Sequence, residues 1–387
     1  MSSAPHPPSA AVRLRSRLAQ RLDGEIAAAA GQPARAAALQ VQRAILWLRH
    51  GREAEAREEL DRLHVCALRT PDVELAGWLH LAEGVMAYFG AFGGDARDRA
   101  RRARAIAAAA GLAPLQALAD AWLAQIAYVG RDIAGILDHA PAALATLAAL
   151  PAADHGAGHR IATALASVWG QVGGEAAASP WYAWARQHAI AGGDDAGLAA
   201  LHYNQTLRRA LCIRRAALTG EPGEAPPGLL GVASIDHFDD AVGGSARADL
   251  TPLLRAQLLT TQGDFATAAA LLEAQLPAAT AAGLARLGIS LLADLAWCWA
   301  NTGDLPRARA LAAQAAAEAL AEDPACCDFD ELATLHARLA QVYARLREDG
   351  LAAAQADAAA AAWARDAVLR RDWAGRLAAA GLAVPPR

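Results

Sequence analysis

The chain has 387 residues, 55% of them hydrophobic but only 5% aromatic, and its 36 basic residues, all arginine, face 40 acidic ones for a formal charge of -4. That balance gives no global electrostatic reason to bind nucleic acid or an anionic membrane, and abundant alanine beside few β-branched and aromatic residues favours helices over sheets. Five cysteines, odd in number and without metal-ligand spacing because Cys326 adjoins Cys327, fit a reducing cytoplasm, and no apolar run reaches transmembrane length without a charge or a proline or glycine break.

Met1 to Ala10 lacks the apolar core of a secretory signal and is expected to be disordered; an amphipathic helix starts in the arginine-rich stretch Arg13 to Arg21. A ruler then runs along the chain. Trp47 stands four residues before Gly51, Phe89 before Gly93, Ile126 before Gly130, Trp169 before Gly173, Leu259 before Gly263 and Trp299 before Gly303, with a looser match of Leu346 before Gly350. A second set of breaks interleaves with the first at Gly31, Pro71, Gly111, Pro151, Gly192-Gly193, Gly283 and Pro324. Each set advances by roughly 40 residues, the length of one helix pair stacked on the next.

Several motifs along the way invite chemistry. Arg97, Arg99, Arg101, Arg102 and Arg104 form the strongest basic run, but a helix would spread them over more than half its circumference beside Asp95 and Asp98, which describes a solvated face. His155 and His159 have a metal-compatible spacing, yet the two glycines between them argue against a rigid helix and no glutamate follows His155. Trp181, Tyr182 and Trp184 cluster on a helix expected to begin at Ser179-Pro180 and to turn its aromatics inward. Tyr203, Asn204, Arg208 and Arg209 share the next helix and could hold a peptide backbone or carboxylate by charge-assisted hydrogen bonds. The segment from Thr219 to Gly228, rich in Pro and Gly, cannot be helical and is expected to be a surface insertion within the fifth pair, before a short helix around Ala233 to Ala241. The acids around His237, from Asp236 to Asp240, are expected in an N-terminal helical turn, using their charge for capping.

Between residues 254 and 308 two segments superimpose. Ala256, Leu259, Gly263-Asp264 and Ala268 match Ala296, Trp299, Gly303-Asp304 and Ala308. Glycine can end the first helix in the left-handed conformation, aspartate can cap the second, and large-next-to-small positions let the two approach closely. This pattern resembles the tetratricopeptide repeat superfamily, in particular the longer repeats of the large bacterial regulators related to the maltose-regulon activator, and the phrase from Ala191 to Asn204 is similar to that family's junction between repeats. The resemblance implies an all-α, right-handed α-solenoid of about eight antiparallel helix pairs. It would comprise a disordered 1–10, helical repeats over 11–218, an inserted loop at 219–231, and repeats over 232–382 continuous with the first set.

No phosphate loop, dinucleotide fingerprint or nucleophile elbow is present in the sequence. The expected function is a non-enzymatic, cytoplasmic scaffold or regulatory protein without cofactor or bound metal, which takes a protein or peptide partner in its concave groove rather than nucleic acid or membrane. The anchors on that face would be Tyr203, Asn204, Arg208 and Arg209, with Trp297 and Asn301 farther along. A small-molecule sensor with its ligand inside the superhelix is the alternative; an enzyme using Asp236, His237 and Asp239 is a third.

Overall fold

A computed structural model of the chain describes residues 16–91, 95–220, 228–242, 250–281, 285–321 and 330–386. The expected disordered segment 1–10, most of the expected inserted loop, and the turn at Gly93 lie outside them. The described residues form seventeen α-helices and no strand. A single helix α1 (Arg17–Ala28) precedes eight antiparallel pairs: α2 (Pro33–Arg49) with α3 (Glu53–Arg69), α4 (Val73–Ala91) with α5 (Asp95–Ala110), α6 (Ala113–Val129) with α7 (Ile133–Ala149), and α8 (His155–Val172) with α9 (Gly174–Gly192). The second half continues with α10 (Asp195–Thr219) and α11 (Gly228–Val242), α12 (Thr251–Gln262) and α13 (Phe265–Ala281), α14 (Ala285–Thr302) and α15 (Leu305–Ala321), and α16 (Glu331–Arg345) with the long α17 (Asp349–Ala379). First helices stack on one another from pair to pair, and second helices cover them from outside.

The turns follow a finer rule than the glycine ruler. Gly263 and Gly303 are left-handed (φ 88° and 100°), and the next residue caps the following helix: Asp264 accepts from the Thr267 amide at 3.3 Å and Asp304 from the Arg307 amide at 3.1 Å. At the third turn the cap is Asp132, which accepts from the Gly135 amide at 2.9 Å, so the left-handed residue immediately before it is Arg131 (φ 54°) and not Gly130. Arg347 (φ 61°) likewise precedes the N-cap Glu348, which leaves Gly350 inside the first turn of α17. The cap sets the register, and the glycine follows it only where it happens to stand one residue earlier.

Second helices pack through alanine stripes. Ala96, Ala100, Ala103 and Ala107 of α5 and Ala308, Ala312 and Ala315 of α15 are all buried at helical spacing. A Cβ on Gly84 of α4 would lie 3.2 Å from the backbone of Ala96 and Ala100, which shows how near the two axes come. The tryptophans of the ruler are not equivalent. Trp169 is buried and donates to the Leu382 carbonyl at 2.6 Å, whereas Trp47 and Trp299 are half-buried with Arg43 and Arg307 guanidinium groups over their rings at 4.9 and 4.2 Å. Four residues before the turn lies the last turn of the first helix, where a pair opens toward solvent; only at Trp169 does the C-terminal segment close over the gap.

Four local expectations are corrected. Helix α8 runs unbroken through Gly156 and Gly158, and the missing side chain at 158 makes room for the His188 ring, whose atoms stand 2.5 Å from where a Cβ would be. Pro180 sits inside α9 rather than at its start. Helix α11 already begins at Gly228, so residues 228–231 belong to it and not to the loop expected over 219–231: Leu229, Val232 and Ile235, three apart, pack against Leu254 and Leu258 of α12. The acids around His237 therefore fall in the second half of α11, where Asp236 forms an ion pair with Arg255 instead of capping.

The stack curls until pairs four positions apart touch. At one seam the start of α1 lies on the turn between α9 and α10: the Leu18 amide donates to the Gly193 carbonyl at 3.0 Å, Arg21 to the Gly192 carbonyl at 2.9 Å, and Arg49 of α2 pairs with Asp194 at 2.8 Å. At the other, Trp373 and Leu377 of α17, with Leu382 beyond it, share a core with Trp169 and Leu165 of α8.

Candidate functional site

This curling forms a partly open cavity of about 300 Å³ on the inner side of the first helices, reached by α2, α4, α6, α8, α10, α12 and α14, by Tyr182 of α9, and by Asp330 and Glu331 at the start of α16. It has two chemically different walls. One is polar: Arg160, Thr163, Ser167 and Gln171 are spaced three, four and four apart on α8, with Gln125 of α6 and Asn204 and Arg208 of α10 beside them. The other is aliphatic, made of Leu207 and Leu211 of α10, Leu250, Leu253 and Leu254 at the start of α12, and Leu291 of α14.

On the polar wall most donors are spent within the protein. The Thr163 hydroxyl donates to the His159 carbonyl at 2.8 Å and the Ser167 hydroxyl to the Thr163 carbonyl at 2.9 Å, which uses their hydrogens within α8. Arg208 donates to Gln171 Oε1, and the Gln125 amide nitrogen donates to the Tyr88 hydroxyl at 3.1 Å. Behind the wall stands a buried charge cluster. Burial pushes the Asp194 carboxyl up, but the Arg49 guanidinium, with His159 and hydrogen bonds from Arg49 and the Gly197 amide, pulls it well below the usual carboxylate range. His159, fully enclosed, is pulled by burial to about 4 and is neutral, its Nδ1 facing the Ala185 carbonyl at 3.1 Å. At the far end Asp294 binds both Arg214 (2.7 Å) and Arg338 (2.6 Å), all three buried.

Of the residues singled out from sequence, Tyr203, Asn204 and Arg208 line the cavity together. Arg209 does not: it is exposed and pairs with Glu175 of α9 at 3.2 Å. Trp297 and Asn301 do not line it either: they lie along α14 beyond Asp294, whereas Ser290 and Leu291 before it do. Trp297 packs edge-on to Phe265 and under Arg338, and the Asn301 amide donates to the Trp297 carbonyl at 2.8 Å. The cluster Trp181, Tyr182 and Trp184 points mainly into the core, with Trp181 fully buried, although Tyr182 reaches the cavity edge. The arginines of α5 that face a neighbouring helix are tied to its carboxylates, Arg97 to Asp132 at 3.2 Å and Arg104 to Asp120 at 2.7 Å. Among the described residues no group of three or more His, Cys, Asp and Glu side chains is placed to hold a metal ion, and no helix is long and apolar enough to cross a membrane.

Sequence reasoning missed the α8 stripe. Its signal was a polar line at three-four-four spacing on a helix buried on every other side, easily passed over because Thr and Ser look unremarkable singly.

No family model matches the chain, and no curated protein matches it. Among solved structures the chain is similar to one described as the crystal structure of a Rap protein complexed with competence and sporulation factor, with a TM-score of 0.52, 11% identity, and coverage of 89% of this chain and 100% of that one. At that identity the likeness concerns the fold: an all-α solenoid of stacked helix pairs.

Proposed function

We propose that the chain is a non-enzymatic regulatory scaffold that takes a short peptide, or the extended end of a protein partner, into the lumen of its superhelix. One observation carries this reading: the two-walled cavity formed by the stacked first helices. An extended peptide needs partners for its backbone and a dry surface for its side chains, and the polar wall of α8 and α10 faces an aliphatic wall within one cavity. The similar solved structure is itself a complex of a Rap protein with a factor, which supports a binding role for this architecture. The resemblance of Ala296, Trp299 and Gly303-Asp304 to tetratricopeptide repeats supports the scaffold part of the reading. In this reading Tyr203, Asn204 and Arg208 touch the occupant, and Arg209, Trp297 and Asn301 serve only a partner that continues outside the cavity.

The test is binding of a randomised pool of short synthetic peptides to the purified chain and to a Tyr203→Ala, Arg208→Ala double variant with unchanged circular dichroism. Retention by the parent and loss by the variant is the expected outcome; equal retention removes these residues from the site. A second reading, a sensor for a small molecule, is favoured by the cavity volume of about 300 Å³, and it takes over if a small compound but no peptide is retained.

A further inference from the structure

Among the described arginines that line the cavity, Arg49 is held by Asp194 at 2.8 Å and Arg214 by Asp294 at 2.7 Å, Arg208 donates to the uncharged Gln171 side chain, and Arg131, in the turn before α7, is likewise not free. Arg160 is only 8% exposed, and its guanidinium lies 4.0 Å over the Trp122 ring without a hydrogen bond or ion pair to any described residue. Burial, and after it the repulsion of Arg49, brings this group down to about 10, so it keeps its charge at neutral pH. Asp194 attracts this cation without touching it; a guanidinium buried with no carboxylate in contact destabilises the empty protein, and stacking on an indole compensates only in part. A second unsatisfied group lines the same cavity. Gln125 stands one helical turn after Trp122 on α6 and is 7% exposed; its amide nitrogen is used by Tyr88, and its buried Oε1 has no partner.

We propose that this end of the lumen is a carboxylate site: Arg160, seated on Trp122, binds the carboxylate of an amphipathic ligand, Gln125 Oε1 accepts an adjacent N–H, and the aliphatic remainder of the ligand lies on the leucine wall. The assignment rests on the lumen being a binding site. At this end of the lumen one guanidinium has no carboxylate in contact, which matches a monoanion, and its planar fork matches the two oxygens of a carboxylate. A phosphate dianion would ask for a second cation beside the first, whereas the nearby Arg49 is held by Asp194 and Arg208 stands with Gln171, about three turns farther along α8. The carboxylate can belong to the C-terminus of a peptide or to a small organic acid; only the peptide also brings the N–H that Gln125 lacks.

The experiment compares three probes on the full chain: a randomised pool of short peptides with free C-termini, the same pool as C-terminal amides, and straight-chain fatty acids. Each is measured against the parent protein, Arg160→Met, Gln125→Leu, and a lumen-filling Leu254→Trp. Free acids are expected to bind at least about tenfold more tightly than amides, a preference that Arg160→Met abolishes. Loss of peptide but not fatty-acid binding in Gln125→Leu identifies a peptide ligand; fatty acids alone binding the parent identifies a small acid. Arg160→Met without ligand is expected to melt no lower than the parent, since an unpaired buried charge is replaced by an apolar chain of similar length; a lower melting temperature would make Arg160 a structural residue and overturn the assignment. Binding that Leu254→Trp blocks but that shows no preference for free acids overturns the carboxylate site and leaves the lumen reading standing. Absence of binding by all three probes overturns both.

Discussion

His159 shows how far a single side chain is set by what encloses it. Its neutral ring is packed under Gly197, where a Cβ would come within 2.7 Å of Nε2, and it faces Asp194, Arg49 and Arg160. Its pKa is lowered in the folded protein, to about 4 from an ordinary 6.5, so between those values the unfolded chain binds the extra proton. Stability is therefore complete above about pH 6.5 and falls as pH drops toward 4, by on the order of 3 kcal/mol from this group. His188, lowered by burial and then by His155, acts in the same direction, and the depressed Asp194 carboxyl adds a further loss below its ordinary value of 3.8. Urea midpoints measured from pH 7 to 4 should slope steeply in the parent and distinctly less in His159→Gln; parallel curves would clear His159 of the effect. A second residue-scale expectation separates two tryptophans that look alike in sequence. Trp169→Ala removes a buried ring and its hydrogen bond to Leu382, a loss of about 3 to 5 kcal/mol. Trp299→Ala, half-exposed beneath Arg307, should lose less than about 2 kcal/mol, and equal losses would mean the two rings are enclosed alike after all.

Among the elements, the helix pairs were legible because their punctuation is chemical and local: glycine or proline breaks, a capping aspartate, apolar residues at helical spacing. Gly263-Asp264 and Gly303-Asp304 are read correctly for that reason, whereas Gly130 and Gly350 mislead because the cap stands elsewhere and an arginine takes the left-handed position. Helix α8 was doubted on its glycines, since no local rule reports that a histidine from the next helix will fill the space at Gly158. The same distinction gives opposite signs to one substitution. Gly375 lies in α17 with nothing within 4 Å of where a Cβ would stand, so Gly375→Ala should raise stability by about 0.5 to 1 kcal/mol through helix propensity alone. Gly158→Ala has the same propensity gain but would place a methyl 2.5 Å from the His188 ring, so it should lower the melting temperature. Two shifts of the same sign in thermal denaturation would refute the packing of His188 on α8.

At the scale of the whole molecule the decisive contacts join residues far apart in the chain, such as Arg49 to Asp194 and Trp169 to Leu382. Each helix pair adds a small rotation, and only their sum decides whether the stack curls far enough for these groups to meet. That is why three cavity residues on α10 could be picked from sequence, while the curling that brings Arg160 into the cavity and leaves Trp297 and Asn301 outside it could not. The seam can be tested through Asp194, which has two tasks: it accepts from the Gly197 amide at 2.9 Å at the head of α10, and it neutralises Arg49 across the seam at 2.8 Å. Asp194→Asn keeps an acceptor for the cap but leaves Arg49 as a nearly buried, unpaired cation, a loss of about 3 to 5 kcal/mol. Arg49→Met combined with Asp194→Asn removes both charges and should recover most of it, the signature of a direct pair in a double-mutant cycle. Because this pair draws α2 onto α10 beside the cavity, small-angle scattering of the single Asp194→Asn variant should show a larger radius of gyration than the parent or the double variant. Peptide binding should weaken in parallel with that opening. An unchanged radius together with unchanged binding in the destabilised single variant would mean that the curl is held by the α8 to α17 seam alone.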